Sequence, residues 1–437
     1  MIDRPEWGFA KNWRKPHSGF YLNQHTLKGK QMGRKKLGEG DSEDLFGAIA
    51  KETGGDILNE IDSVNYFVDT GSLALNYICS GRFIDGGIPG GKLTEIYGPS
   101  SSAKSLIGNN ILFGCQKMNG IPVLLDCENS ANKEFIETAS HINNKKLLRY
   151  SPQSLEDVFS KMYSVIDNIR KKNKTIPIVI VYDSIGVSPS ARELREVDLP
   201  EDYDKATYKK IVGGNEQPGE RAKICSRELR KLNSVMADTG ATVIILNQTR
   251  DKIGVMYGNP ETTAGGGNAL PFYASCRLRP QTQKKIEKKI TAKKTKILGV
   301  NLKIKNVKNK THKPFVESEG IQLLFDKGIN PLGGLLSCLL EEERIIAKGA
   351  GNFIIKDEYL GEDKEDNKFK ASIERNDVPM EILIKNPLLI DATSSEEVIE
   401  YLKPYMDAIK FEISGDTVET DVKDDDDETI DNNILGE

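Results

Sequence analysis

No apolar run in this chain of 437 residues approaches the roughly eighteen residues that a membrane span requires. A signal-peptide core is also lacking, because Trp7, Lys11, Trp13 and Arg14 interleave near the N-terminus, and the expectation is a cytosolic protein. Cysteine is sparse. Cys79, Cys115, Cys127, Cys225, Cys276 and Cys338 are scattered without a C-x-x-C pair, which speaks against a disulfide framework or a zinc site and for buried, reduced thiols. No internal repeat is visible.

Net positive charge is lacking too: the chain carries -4, which taken whole argues against a nucleic-acid partner. Its distribution reverses that inference. From Asp416 to Glu437 ten acidic residues face Lys423 alone, a net of -9, so the rest of the chain carries +5. Such a tail is expected to be disordered and solvated, or to screen a basic surface of its own chain. Nine Lys or Arg lie between Arg4 and Lys36, opposed by Asp3 and Glu6. A second cluster, Lys284, Lys285, Lys288, Lys289, Lys293, Lys294 and Lys296, is opposed by Glu287. Each cluster is either a solvated face or a surface for phosphate.

What the chain does contain begins with G-P-S-S-S-A-K-S: Gly98, Pro99, Ser100, Ser101, Ser102, Ala103, Lys104 and Ser105. The strand-like Leu93 to Tyr97 precedes it and the helical Leu106 to Met118 follows, the context that a phosphate cradle requires. Backbone N–H groups at a helix N-terminus face phosphates, Lys104 would reach the β and γ oxygens, and the Ser105 hydroxyl would coordinate Mg²⁺. Ala103 stands where such loops usually carry glycine, so an ordinary polar turn is the competing reading. After Pro177, I-V-I-V-Y-D is apolar on both faces and ends in Asp183, as a central parallel strand would. That carboxylate is either a turn or cap residue or the holder of a Mg²⁺ water shell. Ile121 to Leu125 leads similarly into Asp126-Cys127-Glu128, which alone would be merely a strand end.

The most informative stretch is N-Q-T-R-D-K-I-G-V-M-Y-G-N-P-E-T-T-A-G-G-G-N-A-L-P-F-Y-A-S-C-R-L, Asn247 to Leu278, after the buried run Ala241 to Leu246. Its glycine-rich middle has too little apolar content to bury itself, which predicts a mobile loop awaiting a ligand. The stretch closely resembles the DNA-binding loop of bacterial RecA-type recombinases in its polar strand end, its G-V-M-Y-G-N-P-E-T-T run and its F-Y-A-S-C-R-L return. Phage recombinases of the UvsX kind also tolerate a non-glycine at the place of Ala103. The resemblance covers about Asp41 to Phe411 and weakens at both ends.

That resemblance implies an α/β RecA-type P-loop ATPase core, a largely parallel twisted sheet flanked by helices, in an ATP-dependent DNA strand-exchange recombinase. Glu128 would orient the attacking water, with Asp126 structural. Phe135 and the adjacent Asn132 would lie at adenine, as would Phe325, although aromatic residues are more often core. Gln248 would sense the γ-phosphate, and Ile253 would wedge between base triplets without reading base edges. Gly265, Gly266, Gly267 and Asn268 would offer backbone donors to DNA phosphate. Lys223, Arg230 and Arg250 match basic positions facing DNA; the first two, seven residues apart, project from one side of a helix. Lys308 and Lys310, in K-N-K after the strand Val300 to Val307, would reach across a filament interface to the γ-phosphate on a neighbour's Lys104. Their bland reading is a solvent-facing pair. Between Ser188 and Gly219 the chain is longer than the family pattern and rich in acidic residues, and no DNA contact is assigned there.

Residues 1–40 are expected to form a basic flexible arm, 41–63 an oligomerisation helix region, 64–330 the ATPase and DNA-binding core, 331–412 a small α+β domain, and 413–437 the acidic tail. Within the second region, Leu45, Phe46, Ile49 and Ala50 share one helical face. Lys356 to Arg375 is a charged insertion without a counterpart in the family pattern. The implied cofactors are ATP and Mg²⁺. The implied partners are single- and double-stranded DNA and further copies of the chain in an open helical filament, with a single-strand-binding protein or loader as an assistant and no membrane. Two other classes share these motifs: a ring-forming helicase motor, and a nucleotide-gated DNA-binding module with little hydrolysis.

Overall fold

The computed structural model describes residues 39–54, 64–129, 132–195, 219–251, 261–263, 265–291, 294–361, 367–373, 376–413 and 417–421. The basic arm, most of the acidic tail, Ile253 and the acidic stretch after Arg195 lie outside them. The chain divides into two compact units, residues 1–62 and 63–437. In the first, the expected amphipathic helix is α1 (Glu39–Thr53), whose Leu45 and Ile49 are 52% and 48% exposed.

The second unit opens with a short antiparallel pair, β1 (Phe67–Val68) and β2 (Ile88–Pro89), around α2 (Leu73–Ser80). The parallel part of the main sheet consists of β3 (Leu93–Gly98), β4 (Ile121–Asp126), β5 (Leu148–Tyr150), β6 (Ile178–Asp183) and β7 (Thr242–Asp251), in the order β3-β7-β6-β4-β5. The continuous apolar runs form central strands because both faces are covered. Val179 and Val181 of β6 face one cluster, with Ile107 and Ile111 of α3 (Lys104–Lys117). Their neighbours Ile178, Ile180 and Tyr182 face the other, with α5 (Leu155–Lys172) and α7 (Glu220–Thr239). Two shorter helices, α4 (Lys133–Ser140) and α6 (Ala191–Arg195), complete this run. Ser154 caps α5 by accepting from the Asp157 N–H, and Arg170, Lys171 and Lys172 close its last turn, matching the helix dipole at both ends.

Beyond Thr242 the strand β7 is longer than its apolar run. It continues through Asp251 and pairs with β8 (Glu261–Thr263), Thr249 opposite Thr263 and Arg250 opposite Thr262. The base of the expected loop is therefore a two-stranded ladder, for which β-branched threonines are well suited. The chain returns through α8 (Ala269–Tyr273) to β9 (Cys276–Thr291), which lies parallel to β3, and then to the antiparallel β10 (Lys294–Asn309), β11 (Glu317–Leu324) and β12 (Gly328–Ile329). A separate sheet of β13 (Ile345–Gly349), β14 (Asn352–Ile355) and β15 (Lys368–Lys370) belongs to the C-terminal region, with helices including Ser395–Leu402 and Met406–Ile413. The acidic tail departs from the expected full disorder: β16 (Thr417–Asp421) pairs antiparallel with β9, Asp421 opposite Lys284 and Thr417 opposite Lys288. The reason is an open edge, since β3 covers β9 only over Cys276 to Leu278.

One carboxylate ties the C-terminal helices to the core. Asp69 pairs with Lys117 at 2.7 Å, accepts from Asn76 at 2.7 Å and from Tyr401 at 3.0 Å, and lies 3.3 Å from the Tyr405 hydroxyl. Burial pushes its pKa up, but Lys117, Asn76 and the Gly71 N–H outweigh that effect and hold it below the ordinary value. Asp69→Asn should therefore cost roughly 2 kcal/mol of unfolding free energy at neutral pH, discounted from a fully buried pair because Lys117 keeps some solvent. A depressed carboxylate contributes stability above its unfolded pKa of about 4 and loses it as pH falls through the folded value. Urea unfolding should show the gap between wild type and variant closing on acidification; a constant gap would contradict the assignment.

Candidate nucleotide and DNA-binding site

The phosphate-loop segment lies where the sequence places it, between β3 and α3. Its glycine-like requirement is real: Ala103, immediately before α3, has φ 61° and ψ 20°, and Ser101 has φ 60°. Lys104 is 9% exposed, and its ammonium donates to the Gly98 carbonyl at 3.1 Å, the Pro99 carbonyl and the Ser102 hydroxyl at 3.3 Å. Burial lowers its pKa, while Asp183 and Glu128 pull the other way.

Parallel pairing of β4 and β6 sets Asp126 beside Asp183. Burial pushes the Asp183 carboxyl up to about 6, against the Ser105 hydroxyl, with Glu128 and Asp126 adding to the rise and Lys104 opposing it. Asp126 is held by Arg149 through a 2.5 Å ion pair. Glu128 is exposed just past β4, and the Ser184 hydroxyl donates to its Oε1 at 2.9 Å. Ser105, Asp126, Asn132, Phe135 and Asp183 line one cavity of about 120 Å³. Asn132 also caps α4 by accepting from the Phe135 N–H at 3.0 Å, so it holds the helix that carries the 42%-exposed ring. Phe325 is not among the lining residues of that cavity; it packs half-buried on the core.

Gln248 lies half-buried beside Gly98 in the parallel register of β7 and β3, which brings the strand end of the DNA loop to the phosphate loop. The preceding Asn247 grips the return of that loop, its amide donating to the Gly265 carbonyl at 3.0 Å while its oxygen accepts the Gly265 N–H at 3.1 Å. The same amide donates to the fully buried Glu95 at 2.9 Å, and Glu95 pairs with Arg277 at 2.5 Å. In this structure the Gly265 N–H is bonded to Asn247, and a Cβ there would meet Ile185 at 2.8 Å, so close packing requires glycine at this position. Gly266 is buried as well, whereas Gly267 and Asn268 are exposed. Lys223, Arg230 and Arg250 are exposed. Lys308 donates to the carbonyls of Pro271 and Phe272 at 2.7 and 2.8 Å, closing the end of α8, and Lys310 is exposed.

Sequence reasoning missed Glu95, Ser184 and Arg277. A carboxylate inside L-T-E-I-Y was a readable signal, because a charge in a buried strand demands a partner. Ser184 carried none beyond its place after Asp183. Among the described residues five cysteines are buried and Cys127 is half-buried, all free, and no helix is long and apolar enough to cross a membrane.

The family model for the RecA N-terminal domain matches residues 46–330. The chain is 33% identical over 347 residues to Protein RecA of Mycoplasma mycoides subsp. mycoides SC, covering 78% of this chain and 90% of that protein. It is 35% identical over 302 residues to Protein RecA of Deinococcus radiodurans, covering 68% and 73%. The chain belongs to the RecA family. It is accordingly a DNA recombinase, a DNA-dependent ATPase that couples ATP to strand exchange and forms filaments on DNA, rather than a ring helicase or a passive binding module.

Within this RecA-family loop, alanine in the left-handed region costs ~1–2 kcal/mol, whereas glycine there costs roughly 0.4–1 kcal/mol through its freer unfolded chain. Ala103→Gly is therefore expected to stabilise the protein by about 0.5–1 kcal/mol in urea unfolding. A loss of stability would show that the alanine methyl makes packing contacts that outweigh the backbone strain.

Proposed function

We propose that ATP binds over the ends of β3, β4 and β6, with Lys104 on its β and γ oxygens, Glu128 positioning the attacking water, and Gln248 reporting the γ-phosphate to the DNA loop. The observation that carries this reading is the convergence of one buried ammonium, one hydroxyl and two carboxylates, Lys104, Ser105, Glu128 and Asp183, at the same sheet edge. Ser105 and Asp183 are hard oxygen donors in a site where carboxylates outnumber cations, which fits Mg²⁺; when bound, it would neutralise phosphate charge. Phe135 and Asn132 lie on the base side of the same cavity. Phe325 is proposed as a second ring on the base.

Single-stranded DNA would lie along Lys223, Arg230, Arg250, Gly265, Gly266, Gly267 and Asn268, with Ile253 as the wedge, and duplex would be sampled for homology by base pairing. Head-to-tail repetition of one interface produces an open helical filament. Across it, Lys308 and Lys310 would reach the γ-phosphate of the neighbour, as an arginine finger does in other phosphoryl-transfer enzymes. We place the activity in the cytosol, with a single-strand-binding protein or loader as an assistant. The domain division at about residues 40, 63, 330 and 412 accompanies this reading.

Electron microscopy with single-stranded DNA and an ATP analogue should show an extended right-handed helix; discrete rings would sink the proposal. Lys104→Ala should abolish ATP-driven extension, while Glu128→Gln should give stable ATP-bound filaments with little turnover. Mixing Lys104→Ala with the Lys308→Ala, Lys310→Ala double variant should restore some hydrolysis, because some interfaces then pair an intact loop with intact lysines. Normal hydrolysis by the double variant alone would refute the role in trans. Removal of residues 416–437 is expected to tighten duplex binding and lower its Mg²⁺ requirement, since the tail and DNA phosphates compete for lysines. Unchanged duplex affinity across a salt titration would leave the tail without that role.

A further inference from the structure

The turn leaving β6, Ser184 to Gly186, is where three parts of the molecule meet. Its first residue donates to Glu128 Oε1 at 2.9 Å. Its second, the fully buried Ile185, receives Gly265 and Gly266 from the DNA loop: their added Cβ atoms would stand 2.8 and 3.5 Å from Ile185 atoms. The third contact comes from α7. Arg221 Nη2 donates to the Ile185 carbonyl at 2.9 Å and to the Gly186 carbonyl at 3.2 Å.

Arg221 is oddly placed for a stabilising residue of its own helix. It is the second residue of α7, after Gly219 at φ 86°, and a cation in the first turn opposes the helix dipole. The turn carbonyls supply what the helix does not. They are buried acceptors in need of donors, and one guanidinium nitrogen satisfies both. A planar guanidinium holding two carbonyls fixes direction as well as distance, which a single flexible ammonium does less well. The same helix exposes Lys223 two residues later and Arg230 two turns beyond.

We propose that Arg221 is a positioning residue through which DNA engaged along α7 sets the orientation of Glu128. A displacement of the first turn of α7 moves the guanidinium, the Ile185 and Gly186 carbonyls follow, and the Ser184 hydroxyl moves the Glu128 carboxylate that it holds. Gly265 and Gly266, packed on Ile185, give the DNA loop access to the same turn. This rests on the reading of Glu128 as the water-positioning group and adds the route by which DNA reaches it.

The test uses the full chain, with ATP hydrolysis measured with and without poly(dT), poly(dT) affinity by fluorescence anisotropy, and thermal melts. Arg221→Met should lower DNA-stimulated kcat roughly tenfold, within the ordinary range of coupling between sites. DNA-free hydrolysis, KM for ATP and poly(dT) affinity should stay within about threefold, well below that coupling. Arg221→Lys, which keeps a donor, should recover part of the stimulation. Ser184→Ala should also reduce stimulated turnover, and combining it with Arg221→Met should lose no more than the larger single effect, because both act on one route. Unchanged stimulation in Arg221→Met, a parallel loss of poly(dT) affinity, or multiplicative losses in the double variant would each overturn the coupling. Glu128→Gln in the same assay separates the two readings. If it hydrolyses ATP normally, the catalytic assignment falls and the route loses its end point; if it is inactive while Arg221→Met is fully stimulated, only the coupling falls.

Discussion

The parallel register of β3, β7, β6 and β4 is the constraint on which the site depends. Gly98 lies beside Gln248, and Asp126 beside Asp183, because each pair of strands is matched residue for residue along its length. Parallel strands all end at the same edge, and a shift by one residue would turn each inward side chain to the opposite face. The two apolar clusters on either side resist such a shift: Ile178, Ile180 and Tyr182 belong to one and Val179 and Val181 to the other. Core packing thus positions a phosphate loop, two carboxylates and the entry to a DNA loop without a ligand contact of its own.

A buried charge adds specificity to that frame. Glu95 is fully buried in β3 and is bonded to Asn247 on β7 and Arg277 on β9, the strands on its two sides. Replacing any one of the three strands by a neighbour in the wrong order would leave an unpaired charge, a larger penalty than the pair's own net attraction. The cluster therefore fixes which strands flank β3. It also ties the phosphate-loop strand to the foot of the DNA loop, since the same Asn247 amide clamps both backbone groups of Gly265.

Those features divide what the sequence discloses from what it does not. Continuous apolar runs ending in Asp183 and in D-C-E were legible, because two-faced burial writes itself into composition. So was the anomaly at Ala103, which the backbone bears out with its positive φ. Ladder pairing after Asn247 was not, because T-R-D and E-T-T are short polar segments whose partnership depends on contact across the loop. The packing at Gly265 was hidden for a related reason. A glycine in a rich run signals permitted backbone, and only the packed neighbour Ile185 shows that this one also serves close approach. Arg221 and Ser184 acquire meaning only in space, because Ser184 opens the turn after β6 and Arg221 reaches back to that turn from a distant helix.

The lysine-rich hairpin shows charge and edge chemistry reinforcing each other. β9 and β10 set Lys288 opposite Lys296, so like charges meet across the ladder and the hairpin is an unfavourable place for further cations. Past Leu278 the outer edge of β9 has no cover from β3 and would offer unpaired backbone groups to any passing strand. T-V-E-T-D from the start of the acidic tail fills that edge, bringing Glu419 and Asp421 into the lysine-rich stretch. Tethering to the same chain gives this pairing an effective concentration on the order of millimolar. A competing strand would have to exceed that concentration and replace the ladder. The tail segment thereby closes the backbone edge of the hairpin to a passing strand and sets acidic residues within its lysine-rich ladder.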